Sequence, residues 1–315
     1  MCGGEHPLPV TTPGIPNEYA LSTSCFGGRL TSIQDQIFAA VGMGFRRLEL
    51  GLTDAPPVMD GLEESRTETG TEIVSIVAGC RDMQGRELPA MRLASLDEEL
   101  RMRAVNSIRR HARLAERWGA PRLVVRGSQV EDPALEAEAR ALEAEALRDG
   151  VSPELRERVG EYVRRVQEAG QPQIQHLCRS LHGLLAEFPD MRLALEPGRY
   201  IDDLLGFDAM GWVIDDLKDK HLGYWHDVGR IHLRERQGLP PQSEWLEQYG
   251  SRMIGIHLQD AAEDETAMPV GLGGVDFKLV HEYLPRDAER VVEIHHRHGR
   301  AEILNSVRFL VDAGF

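Results

Sequence analysis

The chain has 315 residues, of which 42% are hydrophobic and 28% are charged, and this composition excludes extensive disorder because it supplies enough apolar residues for a sizeable core. Its formal net charge of -15 at pH 7 would repel a phosphate backbone, so we expect no nucleic-acid partner. The sequence contains no apolar run near the roughly eighteen residues that a membrane-spanning helix needs, so we expect no membrane partner.

Apolar runs rich in Val, Ile and Leu alternate with longer amphipathic segments, which is typical of a parallel sheet covered by helices. The predicted strands end near Ser24, Leu50, Ala78, Arg126, Glu196, His226, His257 and Ile294. Helices are predicted at 31–43, 97–118 and 206–217, after Asp276, and at 300–313. Eight strand–helix repeats predict an α/β fold, a closed (β/α)8 TIM barrel that forms a single domain over residues 1–315. An open doubly wound sheet is the alternative, but no G-x-G-x-x-G motif between a strand and a helix favours it.

The interval between the fourth and fifth predicted strands is too long for one crossover. From Gly127 to the strand at Met191 there are about sixty residues, roughly twice what a strand–helix–strand unit needs. We therefore predict a helical insertion at about 128–172. Its stretch EDPALEAEARALEAEALRDG has strong helix propensity and few large apolar residues, which predicts a weakly packed helix over the barrel mouth. A lid, a dimerisation arm in a homo-oligomer and a solvated helix without a role all fit this composition.

Four of the predicted strands end in a residue that is able to bind a metal ion. These are Glu196 in LALEPG, Asp227 in YWHDVG, His257 in IGIHLQD and Glu293 in VVEIHH, which lie 31, 30 and 36 residues apart. Because active sites of α/β barrels are built at the carboxyl ends of the strands, the four side chains are expected to converge. Three carboxylates and one imidazole favour Mn²⁺ or Mg²⁺ and also accommodate Co²⁺, Fe²⁺ or Zn²⁺. Two further positions of an octahedral shell would remain for adjacent oxygens of a small carbohydrate-like substrate.

His226 precedes one of these candidate ligands. Because successive side chains of a strand point to opposite faces, His226 is expected to face the helix layer as a structural histidine while Asp227 faces the barrel interior.

The motifs GFRRLEL, LALEP, HDVGR, IGIHLQD, PVGLGGVDF and VVEIHH, in this order and spacing, resemble the xylose-isomerase-like TIM-barrel superfamily of sugar isomerases and epimerases. The resemblance runs from about Ala20 to the end of the chain, apart from the insertion. It implies one divalent metal ion held by Glu196, Asp227, His257 and Glu293. It also implies that Glu196 and Glu293 act as acid and base on opposite faces of a keto-sugar or a sugar-acid-like substrate, through an enediolate. A metal-dependent lyase or hydrolase of a sugar derivative and a non-catalytic sugar-binding barrel stay open as alternatives.

Two positions depart from the pattern of the superfamily. Arg230 stands where many of its sugar epimerases carry a histidine, three residues after Asp227, and Leu272 replaces the glutamate of a P-x-G-E-G loop. A fixed guanidinium at 230 favours a carboxylate, a phosphate or a polarised carbonyl as its partner, unless it pairs with a nearby acidic side chain. The predicted substrate-binding residues are Arg230, Arg199, Arg126 and Gln259, the last also as a group that orders His257.

The superfamily also contains AP endonucleases, which use three zinc ions. Their site needs further histidines at the third and fourth strand ends, where this chain reads IVAGC and VVRGS. We therefore expect no trinuclear site, in keeping with the acidic net charge.

The four cysteines, Cys2, Cys25, Cys80 and Cys178, form no C-x-x-C pair and have no metal-ligand spacing. We expect reduced thiols of a cytoplasmic protein.

Overall fold

The computed structural model describes residues 14–53, 57–79, 92–218 and 220–315. Eight parallel strands close into a barrel in the order β1-β10-β7-β6-β5-β4-β3-β2, which confirms the predicted TIM barrel. The strands are β1 (Tyr19–Ser22), β2 (Arg47–Leu50), β3 (Glu72–Val77), β4 (Arg122–Arg126), β5 (Arg192–Glu196), β6 (Leu222–Asp227), β7 (Met253–Leu258), β8 (Asp260–Ala262), β9 (Glu265–Met268) and β10 (Glu289–Val292). β8 and β9 pair with each other as an antiparallel hairpin that follows β7.

The helices alternate with the barrel strands. They are α1 (Ile33–Met43), α2 (Leu62–Thr69), α3 (Glu98–Trp118), α4 (Pro133–Asp149), α5 (Pro153–Ala169), α6 (Gln171–Glu187), α7 (Phe207–Asp216), α8 (Val228–Glu235), α9 (Gln242–Tyr249), α10 (Phe277–Tyr283) and α11 (Arg300–Asp312). Local chemistry sets their ends. The carboxylate of Asp97, for example, accepts hydrogen bonds from the first backbone N–H groups of α3, and Gly119 ends that helix with a left-handed φ of 69°.

The segment between β4 and β5 carries three helices, of which α4 and α5 precede the crossover helix α6. α4 and α5 each bury one residue every three or four positions: Leu135, Ala139, Leu142 and Ala146 on α4, and Leu155, Val159, Tyr162 and Val166 on α5. The Tyr162 hydroxyl donates to the backbone carbonyl of Leu135 at 3.0 Å. The expectation that the Ala/Glu-rich helix packs weakly is therefore wrong, because its small alanines and two leucines form a continuous face toward α5.

The side chains inside the barrel form three layers. At the amino ends of the strands, the buried Glu289 carboxylate accepts hydrogen bonds from Arg47 at 2.8 Å and Arg122 at 3.1 Å. The middle layer is apolar and consists of Ala20, Val74, Val77, Val124, Ala194, Trp225 and Val291. The layer at the carboxyl ends is polar. An apolar plug thus separates the polar carboxyl end from the ion pairs below, as is usual for a packed barrel.

Cys25 is buried and Cys178 is half-buried, and both are free thiols. Cys2 and Cys80 lie outside the described residues. Within the described ranges, none of the helices has both the length and the apolar character that crossing a membrane requires.

Candidate metal centre

The four predicted metal ligands meet at the carboxyl end of the barrel. Glu196 and Asp227 are the last residues of β5 and β6, His257 lies near the end of β7, and Glu293 follows β10. One ligand atom from each of them lies within 4.8 Å of the others. All four are buried, and only Glu293 retains measurable exposure, at 8%. Neighbouring parallel strands end at the same level of the barrel, so residues distant in sequence converge on one point.

The charges around this point do not balance without a cation. Four carboxylates face two guanidinium groups, which leaves a formal charge of -2 when His257 is neutral; the acidic residues are Glu49, Glu196, Asp227 and Glu293, and the basic ones are Arg126 and Arg230. A buried excess of negative charge is unfavourable unless it is compensated. Three carboxylates and one imidazole are donors that divalent cations accept. The residues present therefore fit a divalent metal ion in both charge and donor type.

The imidazole ring of His257 has carboxylates next to both of its nitrogen atoms. Its Nδ1 is 2.6 Å from Oε1 of Glu196 and 3.3 Å from Oε2 of Glu293. Its Nε2 is 3.0 and 3.1 Å from the two carboxylate oxygens of Glu49. Burial alone would lower the pKa of His257, but the carboxylates of Glu293, Glu49 and Glu196 raise that pKa well above its usual value. A proton on His257 and a bound cation are thus alternatives, because both neutralise the same carboxylates.

Arg126 and Arg230 both bind Glu196. The Nε of Arg126 donates to Oε2 of Glu196 at 2.5 Å, and Nη1 of Arg230 donates to the same oxygen at 2.6 Å. Nε of Arg230 also lies 3.2 Å from Oδ2 of Asp227. Burial would raise the pKa of Glu196, but the two guanidinium groups and His257 hold that pKa well below its usual value. Glu196 is therefore a fixed carboxylate, and the partners of Arg230 are acidic side chains of the protein itself.

Gln259 connects the metal centre to the β8–β9 hairpin. Its Nε2 donates to both carboxylate oxygens of Asp227 at 2.9 Å, and its Oε1 accepts a hydrogen bond from the backbone N–H of Ala267. The carbonyl of Ala267 in turn accepts from the backbone N–H of His295 at 2.7 Å. The structure thus places Gln259 against Asp227, rather than against His257 as the sequence suggested.

Arg199 lies apart from the cluster. Its Nη2 donates to the backbone carbonyl of Asp264 at 2.6 Å, and its guanidinium lies 5.8 Å from the centre of the Tyr200 ring. It lines a separate cavity of about 250 Å³ between α4 and the β8–β9 hairpin. Arg199 therefore lies outside the cluster, because the chain after β5 runs toward α4, and its substrate-binding role stays a prediction.

Sequence reasoning missed Glu49. This residue lies in β2, is fully buried and contacts His257 from the side opposite Glu196. The available signal was an acidic residue between the two leucines that end β2, in the motif RLEL.

A cavity of about 200 Å³ opens beside Glu293. The other residues that line it are Ser24, Leu52, Thr53, Ala267, Ile294, His295 and His296. It lies over the ends of β1, β2 and β10, across the barrel from Arg126 and Arg230. Hydroxyl and imidazole groups in this lining are able to bind the hydroxyl groups of a small polar molecule.

Comparison with known proteins agrees with this architecture. The family model described as xylose isomerase-like TIM barrel matches residues 37–312. L-ribulose 3-epimerase superposes with a TM-score of 0.65 at 12% identity, covering 94% of this chain and 93% of that protein. The 3-keto-D-glucoside 4-epimerase from E. coli gives 0.64 at 17% identity, with coverages of 94% and 100%. The IOLI protein, solved with a zinc atom, gives 0.57 at 12% identity, with coverages of 94% and 97%. At these identities the likeness shows the fold, and none of the curated proteins matches the chain in sequence.

Proposed function

The chain belongs to the xylose isomerase-like TIM-barrel family, and on that basis we propose that it is a divalent-metal-dependent isomerase or epimerase of a neutral keto-sugar. The observation that carries the proposal is the buried cluster of Glu196, Asp227, His257 and Glu293, whose charge and donors suit one divalent cation. The cluster borders a small polar cavity at the carboxyl end of the barrel, where barrel enzymes carry out their chemistry.

The two glutamates among the candidate ligands differ in their surroundings: Glu293 borders the cavity, whereas Glu196 is held by two arginines. When bound, a divalent cation would make the C–H bond beside a sugar carbonyl more acidic and stabilise the enediolate that results. Glu293 lines the cavity and is the group we assign to proton removal and return. Glu196 is the second acid–base candidate on the opposite side, but Arg126 and Arg230 hold it as a carboxylate. Proton donation by Glu196 would require the substrate to displace at least one guanidinium group.

The substrate that suits this site is uncharged. Arg126 and Arg230 are both occupied by carboxylates of the cluster, and a divalent cation would bring the formal charge to zero. The site would then have no surplus positive charge to attract a sugar acid. A sugar acid was one of the two substrate classes that the sequence left open. The cavity volume of about 200 Å³ is below the usual range for drug-sized ligands and suits a monosaccharide.

The proposal is tested by isotope exchange on a panel of sugars. The Mn²⁺-loaded protein is incubated in D₂O with neutral ketopentoses and ketohexoses and with the corresponding sugar acids, and the products are followed by NMR. We expect solvent deuterium in an intact neutral sugar, dependence on the metal, and loss of exchange in Glu293→Gln. Release of a fragment would instead support a lyase or hydrolase, and binding of metal and sugar without exchange would support a non-catalytic barrel. A wild-type protein that binds no divalent metal would refute the site itself.

A further inference from the structure

Glu49 is in contact with the metal centre without being one of its candidate ligands. Its side chain is fully buried, and both carboxylate oxygens lie within hydrogen-bond distance of Nε2 of His257, at 3.0 and 3.1 Å. The hydroxyl of the buried Ser75 on β3 donates to Oε2 of Glu49 at 2.9 Å. These contacts join three strands of the barrel, β2, β3 and β7, at the level of the metal ligands.

We propose that Glu49 is the positioning residue of the metal centre: its carboxylate accepts a hydrogen bond from the Nε2–H group of His257, and this leaves Nδ1 to bind a divalent cation. This inference rests on the metal site of the proposed function. It assigns a role to a residue that acts only through His257.

The tautomer follows from the chemistry of the two partners. A neutral imidazole carries one N–H group, on either Nδ1 or Nε2, and an ionised carboxylate only accepts hydrogen bonds. A cation binds a ring nitrogen through its lone pair, and Glu49 accepts a hydrogen bond from an N–H group, so in the metal-loaded protein the N–H group is on Nε2 and the lone pair is on Nδ1. The Nδ1 atom faces two of the other three candidate ligands, Glu196 at 2.6 Å and Glu293 at 3.3 Å.

Two further contacts hold the parts of this pair in place. The ring of Trp225 packs edge-on against the imidazole of His257, with centroids 5.1 Å apart. Ser75 fixes the carboxylate of Glu49 from the other side. A ligand histidine whose second nitrogen is held by a carboxylate is both oriented and made a stronger donor. We therefore expect Glu49 to increase metal affinity without touching the ion.

The main test is Glu49→Gln, which keeps the size of the side chain and removes its charge. The amide of glutamine is able to donate as well as accept, so it also stabilises the competing tautomer with the proton on Nδ1. We expect the Kd for Mn²⁺, measured by calorimetric titration of chelator-treated protein, to rise by about 10-fold to 100-fold. Ser75→Ala retains Glu49 but removes one of its donors, and it is expected to weaken Mn²⁺ binding by a smaller factor.

Glu289→Gln is the matched control. Glu289 is also a buried glutamate of a barrel strand, but it binds Arg47 and Arg122 at the amino ends of the strands. This variant is expected to lower the unfolding temperature and to leave the Kd for Mn²⁺ unchanged. The comparison separates positioning of His257 from general destabilisation of the barrel.

A spectroscopic measurement tests the hydrogen bond itself. In the Co²⁺-loaded protein, the Nε2–H proton of a cobalt-bound histidine gives a strongly shifted, exchangeable NMR signal. We expect slow exchange of this proton with water in the wild type and faster exchange in Glu49→Gln and in Ser75→Ala. If Glu49→Gln does not fold, Ser75→Ala decides, because it leaves the carboxylate in place.

The possible failures are distinguishable. Unchanged metal affinity and unchanged proton exchange in the folded variants, with a wild type that binds Mn²⁺, would overturn the role of Glu49 and leave the proposed function standing. A wild type that binds neither Mn²⁺ nor Co²⁺ would overturn both.

Discussion

His226 and Asp227 are adjacent at the end of β6 and have opposite environments. Asp227 points into the barrel, where Gln259 and Arg230 bind its carboxylate. His226 points toward the helix layer, as strand alternation predicts, and its Nδ1 lies 2.8 Å from the hydroxyl of Tyr224. Burial lowers the pKa of His226 to about 3. One residue of this pair thus belongs to the metal centre and the other to the core.

The buried neutral His226 makes the stability of the protein dependent on pH. An unfolded histidine takes up a proton near pH 6.5, whereas His226 in the folded protein stays neutral down to about pH 3. The unfolded state therefore binds more protons in this window, so the free energy of unfolding falls as the pH falls, by up to about 1.4 kcal/mol per pH unit. Urea unfolding at pH 7, 6 and 5 should show a smaller decrease for His226→Asn than for the wild type. Parallel decreases in both proteins would contradict this account.

At the scale of the strand, β6 and β7 together form the floor of the metal centre. The side chain of His257 points into the barrel from β7, and Gly255 lies on the same face of that strand. The side chain of Trp225 points into the barrel from β6, where Trp225 is the register partner of Gly255. A Cβ atom at position 255 would lie 2.1 Å from the Trp225 ring. Trp225 in turn packs against His257. The glycine therefore makes room for an aromatic ring that packs against His257, a candidate metal ligand.

We predict that Gly255→Ala displaces Trp225. The overpacked core should lower the free energy of unfolding by about 1 to 3 kcal/mol, and the shifted ring should weaken metal binding. Gly183→Ala is the control, because Gly183 lies on the exposed side of α6 with no atom within 4 Å of an added Cβ, and it should stabilise the protein by about 0.5 to 1 kcal/mol. Urea unfolding and Mn²⁺ titration of both variants measure these effects. Wild-type stability in Gly255→Ala would show that the barrel interior accommodates the methyl group.

At the scale of the whole molecule, the two ends of the barrel carry different charge arrangements. At the amino ends, the carboxylate of Glu289 is shared by Arg47 and Arg122. At the carboxyl ends, carboxylates outnumber guanidinium groups and leave the formal charge of -2 described above. The apolar layer between them keeps these arrangements independent. Divalent cations should therefore change the free energy of unfolding only by binding at the carboxyl ends of the strands.

Metal binding is accordingly expected to stabilise the folded protein. A ligand present at 100 times its Kd that binds only the folded state adds about 2.7 kcal/mol to the free energy of unfolding. Thermal unfolding with Mn²⁺ and with a chelator should show this difference for the wild type. The difference should disappear in Glu293→Gln, which lacks one ligand, and persist in Glu289→Gln, which retains all four. Equal stabilisation of Glu293→Gln and the wild type would indicate that Mn²⁺ binds elsewhere.

The sequence by itself determined the barrel and the set of candidate metal ligands. Alternation of apolar runs with amphipathic segments is a local property, so it located the eight strands, and the strand ends placed Glu196, Asp227, His257 and Glu293 at one level. Even the helical character of the segment after β4 was readable from its composition. Its packing against α5 was not, because that depends on which faces meet.

Only the tertiary structure decided which side chains contact each other around those ligands. Glu49 and His257 are 208 residues apart and meet across the barrel, and Arg126 reaches Glu196 over a separation of 70 residues. Arg199, although it follows a strand end closely, turns away from the site. Periodicity along the chain gives the direction of a side chain within its own strand. The closure of the barrel and the paths of its loops determine what that side chain contacts.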